Sequence, residues 1–175
     1  MPTTPSQTVG PFFAIELPYG DGRYAVPEGT PDAIWLRGRV FDGDGAPVPD
    51  ALVETWQADR DGQFGGDFRG FGRSGTDDEG RWAILTLKPG PVVPGGPEET
   101  TQAPHVDLNI FARGLLHQVV TRVYFADEGP ANAADPVLAG LDEDARATLV
   151  AQRCADGYEL DIHLQGPHET TFFAV

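Results

Sequence analysis

His105 and Asp107 stand two residues apart in the stretch APHVDLNIFARG, so an extended strand would set an imidazole and a carboxylate side by side on one face. Both groups ligate metals. His163, further along, would complete a two-histidine, one-carboxylate set of the kind that holds non-haem Fe(II) and leaves positions open for oxygen and substrate. With four histidines in the chain, His105, His117, His163 and His168, such a set is easily assembled on paper. His105 as an ordinary hydrogen-bonded strand residue fits the short motif equally well. Other chemistries lack their residues: there is no G-x-S-x-G, no CxxC, no phosphate-cradling glycine loop and no H-E-x-x-H. Asp42, Asp44, Asp59 and Asp61 sit in DGDG and DRDG, which lack the repeated oxygen ligands and closing glutamate of a calcium loop and read as turns.

The elements that must carry His105 and Asp107 follow from the alternation around them. Val106, Leu108 and Ile110 alternate with His105, Asp107 and Asn109, giving one apolar face and one able to bind or react. Arg113-Gly114 interrupts the pattern. Val119, Thr121, Val123 and Phe125 then alternate with Val120, Arg122 and Tyr124, so the two runs are expected to pair in the middle of a sheet. Further strands are expected over 34–41, 51–58, 81–87 and 158–165, with a last one over 170–175. Residues 59–75 read as a glycine-rich loop whose Phe64, Phe68 and Phe71 cover a core edge, and 91–103 as a long Pro/Gly loop. One late helix is expected over 142–153, capped by Asp142, with Leu141, Ala145 and Leu149 on its packing face. Short strands, Gly/Asp turns and long loops indicate a mainly-β chain folded as a β-sandwich over 34–175. Residues 1–33 form an N-terminal arm and loop. Pro2, Pro5 and Pro11 exclude regular structure from the arm, and Phe12-Phe13 argue that it docks on another surface rather than frays.

Composition narrows the partners. At 175 residues the chain is one domain, with 40% hydrophobic residues and the high glycine and proline content of a fold built from turns. A formal net charge of −15 argues against nucleic acid and anionic membrane surfaces. A small anionic substrate would need a local arginine. The lone Cys154 permits no internal disulfide and points to a reducing cytoplasm; no signal peptide or membrane span is read from the sequence.

Four segments together carry a resemblance: TPSQTVGPFF, LRGRVFDGDGAPVPDALVETWQAD, GRSGTDDEGRWAILTLKPGPV, and APHVDLNIFARG followed by VVTRVYF. In order and over nearly the whole length, the chain resembles the intradiol ring-cleavage dioxygenases, and within them the alpha chains of members built from alpha and beta chains. The resemblance implies a β-sandwich, a homologous iron-binding beta chain as partner in a higher hetero-oligomer, and O2-dependent opening of protocatechuate to 3-carboxy-cis,cis-muconate. Catalytic chains of that family hold Fe(III) through two tyrosines and two histidines, the latter in an H-x-H strand; phenolate oxygens suit a hard ferric ion. Here the strand reads His105-Val106-Asp107, and no tyrosine occurs between Tyr24 and Tyr124. Phe64, Phe68 and Phe71 occupy the stretch where tyrosine ligands belong, so His105 and Asp107 are degenerate positions. No catalytic or metal residue is therefore expected in this chain, and the Fe(III) is expected from the beta chain. The resemblance also implies that Thr8, Gly10 and Pro11 of the arm reach the partner's pocket, and that Arg113 meets the substrate carboxylate; Arg122, which alternation places with Tyr124 on a strand face, is the alternative site for that role and is expected to be structural. Two other readings remain at this level: a free-standing Fe(II) oxygenase using His105, Asp107 and His163, and a β-sandwich binding module without enzymatic activity.

Overall fold

The computed structural model describes residues 3–10, 12–93 and 100–174. Nine strands dominate it: β1 (Ala33–Phe41), β2 (Leu52–Trp56), β3 (Phe71–Gly75), β4 (Arg81–Leu87), β5 (His105–Phe111), β6 (Val119–Phe125), β7 (Val150–Cys154), β8 (Gly157–Glu159) and β9 (Ile162–His163). They run in the order β3-β2-β5-β6-β7-β8-β1-β4, with β9 beside β1. The path folds back on itself, so that Val53 of β2, Val106, Leu108 and Ile110 of β5 and Val123 and Phe125 of β6 share one buried cluster with Leu36 and Val40 of β1, Ile84 of β4 and Ile162 of β9. Each such fully buried aliphatic or aromatic side chain contributes about 1.5–3 kcal/mol relative to exposure. The mainly-β sandwich is the fold the alternation implied.

The helical part is divided differently from the expectation. Helices α1 (Phe13–Glu16), α2 (Gly129–Ala134), α3 (Pro136–Ala139) and α4 (Glu143–Ala147) are all short, and a 3-10 turn spans Ala126–Glu128. The helix expected over 142–153 starts as read, Asp142 Oδ1 accepting from the Ala145 amide at 2.8 Å, but stops at Ala147. Residues 150–154 are a strand instead. Val150 and Ala151 pair parallel with Tyr124 and Phe125, and β7 turns back through Ala155-Asp156 onto β8. The sheet's open edge outweighs a weak local helix preference here. At the turn's end, a Cβ on Gly157 would lie 1.9 Å from the Trp35 carbonyl oxygen, so only glycine permits the parallel approach of β8 to β1.

Three further expectations are corrected. The loop over 59–75 contains β3, which pairs antiparallel with β2 in full register from Leu52↔Gly75 to Trp56↔Phe71. Its two glycines disguise it. A Cβ on Gly72 would meet Ile84 Cγ2 at 2.6 Å and Thr55 Oγ1 at 2.9 Å, so the strand omits a side chain because its neighbours fill the space. Nor does Phe64 cover the core: it stacks on Trp56 with ring centroids 6.2 Å apart, both rings well exposed. The last strand expected over 170–175 is reduced among the described residues to a single bridge between Val120 and Phe173.

A second small cluster, Ala103, Tyr124, Leu138 and Leu149, lies on the far side of β6 from the main core. It is organised by Asp135, which is fully buried. Asp135 caps α3 by accepting from the Val137 and Leu138 amides, accepts from the Ala103 amide at 2.8 Å, and accepts the Tyr124 hydroxyl at 3.2 Å. This layer buries the face of β5 and β6 that carries His105 and Tyr124.

Candidate functional site

The strand pairing places the two sequence candidates as the alternation required. His105 is opposite Tyr124 and Asp107 opposite Arg122, on the face away from the main core. His105 is buried, and its Nδ1 lies 2.7 Å from the Ala103 carbonyl, which orients the ring. Burial pushes its pKa below the ordinary imidazole value. Asp107 is taken by Arg122, whose Nε donates to Oδ1 at 2.9 Å while Nη1 donates to Gln102 Oε1 at 3.0 Å. Arg122 is thus a structural residue of this face.

The face does not fit a ferric ion. A guanidinium beside Asp107 places positive charge where a cation's second strand ligand would be. Tyr124, the tyrosine of this face, is buried; its hydroxyl donates to Asp135 at 3.2 Å and accepts from Arg122 Nη1 at 3.4 Å, so its oxygen is already engaged by the protein. The positions of Phe64 and Phe71 offer rings without donor atoms. His163 does not join: it pairs with Phe41 at the β1 edge, stacked on that ring at 4.9 Å, several strands from β5. Among the described residues no three His, Cys, Asp or Glu side chains gather as a metal cluster. The two-histidine, one-carboxylate set is therefore not assembled by this fold.

The arm candidates meet at the other end of β5. The Gly114 amide donates to Thr8 Oγ1 at 2.7 Å, and Phe13 packs its ring 6.1 Å from that of Phe111. Gly10 accepts from the Phe13 amide at 3.1 Å, closing the turn into α1, and Pro11 lies outside the described residues. Arg113 is anchored at its Nε, 3.0 Å from Asp50 Oδ2, while most of its side chain, 63% exposed, faces outward. Thr8, Gly10 and Arg113 thus occupy one corner. Seven strand residues from His105 to Phe111 put that corner about 20 Å from His105. Sequence reasoning missed the Asp50 anchor and the buried Asp135, although Asp135-Pro136 is a readable helix start, a cap followed by proline at the first helical position.

The dioxygenase family model matches residues 9–166, most of the chain. The chain belongs to the intradiol ring-cleavage dioxygenase family. It is 42% identical to the protocatechuate 3,4-dioxygenase alpha chain of Burkholderia cepacia, over 98% of this chain and 97% of that one. The beta chain of the same enzyme and organism is 35% identical over 83% of this chain and 71% of its own length. Among solved structures, the dioxygenase domain of a dioxygenase and carbohydrate-binding protein fusion from Streptomyces sp. SirexAA-E superposes with a TM-score of 0.63 at 25% identity, covering 93% of this chain and 99% of that one. Intradiol dioxygenases are iron-dependent in general, and relatives of this chain include both alpha and beta chains. No helix among the described residues is long and apolar enough to cross a membrane.

Proposed function

We propose that this chain is the iron-free alpha subunit of a protocatechuate 3,4-dioxygenase, completing the substrate pocket of an iron-bearing beta chain in a cytoplasmic hetero-oligomer. The observation that carries the reading is the occupied face of β5 and β6. Asp107 is committed to Arg122, and the hydroxyl of Tyr124 beside His105 is committed to Asp135. A chain so similar along its whole length to an alpha chain, but with that donor set, contributes to the reaction through its surface.

The exposed corner of Thr8, Gly10 and Arg113 supplies such a surface. Its distance from the chain's own degenerate position suits a role in another chain's pocket. Arg113, steadied by Asp50 at one nitrogen, keeps the rest of its guanidinium available to a substrate carboxylate. That interaction orients protocatechuate, whose ring is opened between its two hydroxyls with O2 at the beta chain's Fe(III). In such a complex the arm of residues 1–33 docks on the beta chain through the exposed Phe12 and Ile15.

Metal analysis and oxygen uptake on the chain alone, and on the chain combined with its beta partner, test the proposal. Ring cleavage and stoichiometric iron are expected only in the combination. Tightly bound iron with ring-cleaving activity in this chain alone would overturn it.

A further inference from the structure

The edge strands β3 and β4 meet at a seam, where the Ala83 amide donates to Ser74 Oγ at 3.3 Å. The N-terminal loop bridges them: the Arg73 amide donates to the Gly22 carbonyl and the Leu85 amide to that of Arg23, so neither edge is left bare. A cavity of about 630 Å³ opens at this seam.

The cavity concentrates positive charge in an acidic protein. Arg23, Arg37, Arg39, Arg73 and Arg81 line it, five of the twelve basic residues in a chain of formal net charge −15. Three are paired: Arg37 with Asp156, Arg73 with Glu54, and Arg81 with Asp77 and Glu79. Among the described residues Arg23 and Arg39 have no carboxylate partner. Arg23 lies over the Trp35 ring at 5.1 Å, and Arg39 offers only its backbone amide to Asp161. Glu159 is the lining carboxylate without an ion pair among the described residues.

The wall also holds buried polar atoms. Two buried N–H donors without a hydrogen-bond partner, Trp82 Nε1 and Arg37 Nε, belong to residues of this cavity wall. Trp82 is only 2% exposed, so its indole donor has no bulk water to turn to. Buried donors are otherwise satisfied almost everywhere in folded proteins.

We propose that the seam cavity binds a small organic anion carrying two or more carboxylates. Guanidinium groups match carboxylates in planar two-point contacts, and the two unpaired arginines supply the attraction that the overall negative field withholds. Tyr19 and Trp82 give aromatic wall for a carbon skeleton. The volume falls within the range of small-molecule pockets, about 300–1,000 Å³, and exceeds what one inorganic anion fills. The site is distinct from the β5–β6 face, whose His105 and Asp107 do not line it.

Calorimetric titration of the full chain with citrate, and separately with inorganic phosphate, tests this. Citrate is expected to bind saturably at one site, weaken with added salt, and lose at least ten-fold in affinity in the Arg23→Ala/Arg39→Ala double variant. Both side chains reach solvent, so the variant keeps the core. Arg60→Ala, away from the cavity, is expected to change nothing. No saturable citrate binding, unchanged affinity in the double variant, or phosphate binding as tight as citrate would overturn the proposal.

Discussion

Arg122 lies across the β5–β6 pair from Asp107 and donates its Nε to Oδ1 at 2.9 Å, a cation held against the residue that stands where the resemblance implies a second histidine. Restoring that histidine should therefore not restore a ferric site. In Asp107→His the guanidinium would remain, and the Tyr124 hydroxyl would still be engaged by Asp135. Iron measured by elemental analysis in this variant is expected to stay far below one per chain. A stoichiometric ferric ion would show that the tyrosine positions are dispensable.

His105 makes stability depend on pH. Its burial lowers its pKa below the ordinary 6.5. As pH falls through 6.5 the unfolded chain takes up a proton that the folded chain refuses until its own, lower pKa. Stability is therefore lost on acidification across that window, and above it the imidazole is neutral in both states and adds no slope. Urea unfolding followed between about pH 5 and 8 should show a steeper acid loss for the wild type than for His105→Gln. Parallel curves would place His105 in water.

Asp135 joins the α3 cap, the Ala103 amide and Tyr124 in one buried carboxylate. Asp135→Ala strands several of these donors at once. A loss of about 2–4 kcal/mol is expected, seen as a fall of roughly 5–15 °C in Tm. Asp44→Ala, on an exposed turn, should stay within about 0.5 kcal/mol. Equal small effects would mean that water replaces the lost carboxylate.

The arm should matter to the complex more than to the fold. Deleting residues 2–11 removes Thr8 and its bond from the Gly114 amide but no residue of the main cluster. Circular dichroism and Tm of the chain should change little, whereas ring-cleaving activity of the alpha–beta complex should drop. Three prolines restrict the unbound arm and lower the entropy cost of ordering it at an interface. Full activity after the deletion would reduce the arm to a tail.

Arg113 should discriminate between substrates. A charge-assisted hydrogen bond to a carboxylate contributes roughly 1.5–3 kcal/mol. Arg113→Ala in the complex is thus expected to lower kcat/KM on protocatechuate by roughly ten- to a hundred-fold, with much less effect on catechol, which has no carboxylate. Arg113→Lys should recover part of the loss, a point charge replacing a planar fork. Asp50→Asn, which leaves the guanidinium but loosens its anchor, should fall between. Equal losses on both substrates would indicate a packing defect at the corner.

Much of this molecule was determined by residue order alone. Alternation placed Val106, Leu108 and Ile110 in the core with His105 and Asp107 opposite, because a strand's side-chain period of two admits no other arrangement. The absence of tyrosine between Tyr24 and Tyr124 was equally plain, since a missing donor type needs no coordinates. Where competition between distant segments decides, the order was silent. Residues 150–154 became a strand because β6 and β8 offered edges to pair with, and β3 was hidden by glycines that make sense only beside Ile84 and Thr55. Only the folded chain sets Arg122 on Asp107, Asp50 on Arg113 and five arginines around one seam, because ion pairs and cavities arise between residues that the sequence keeps far apart.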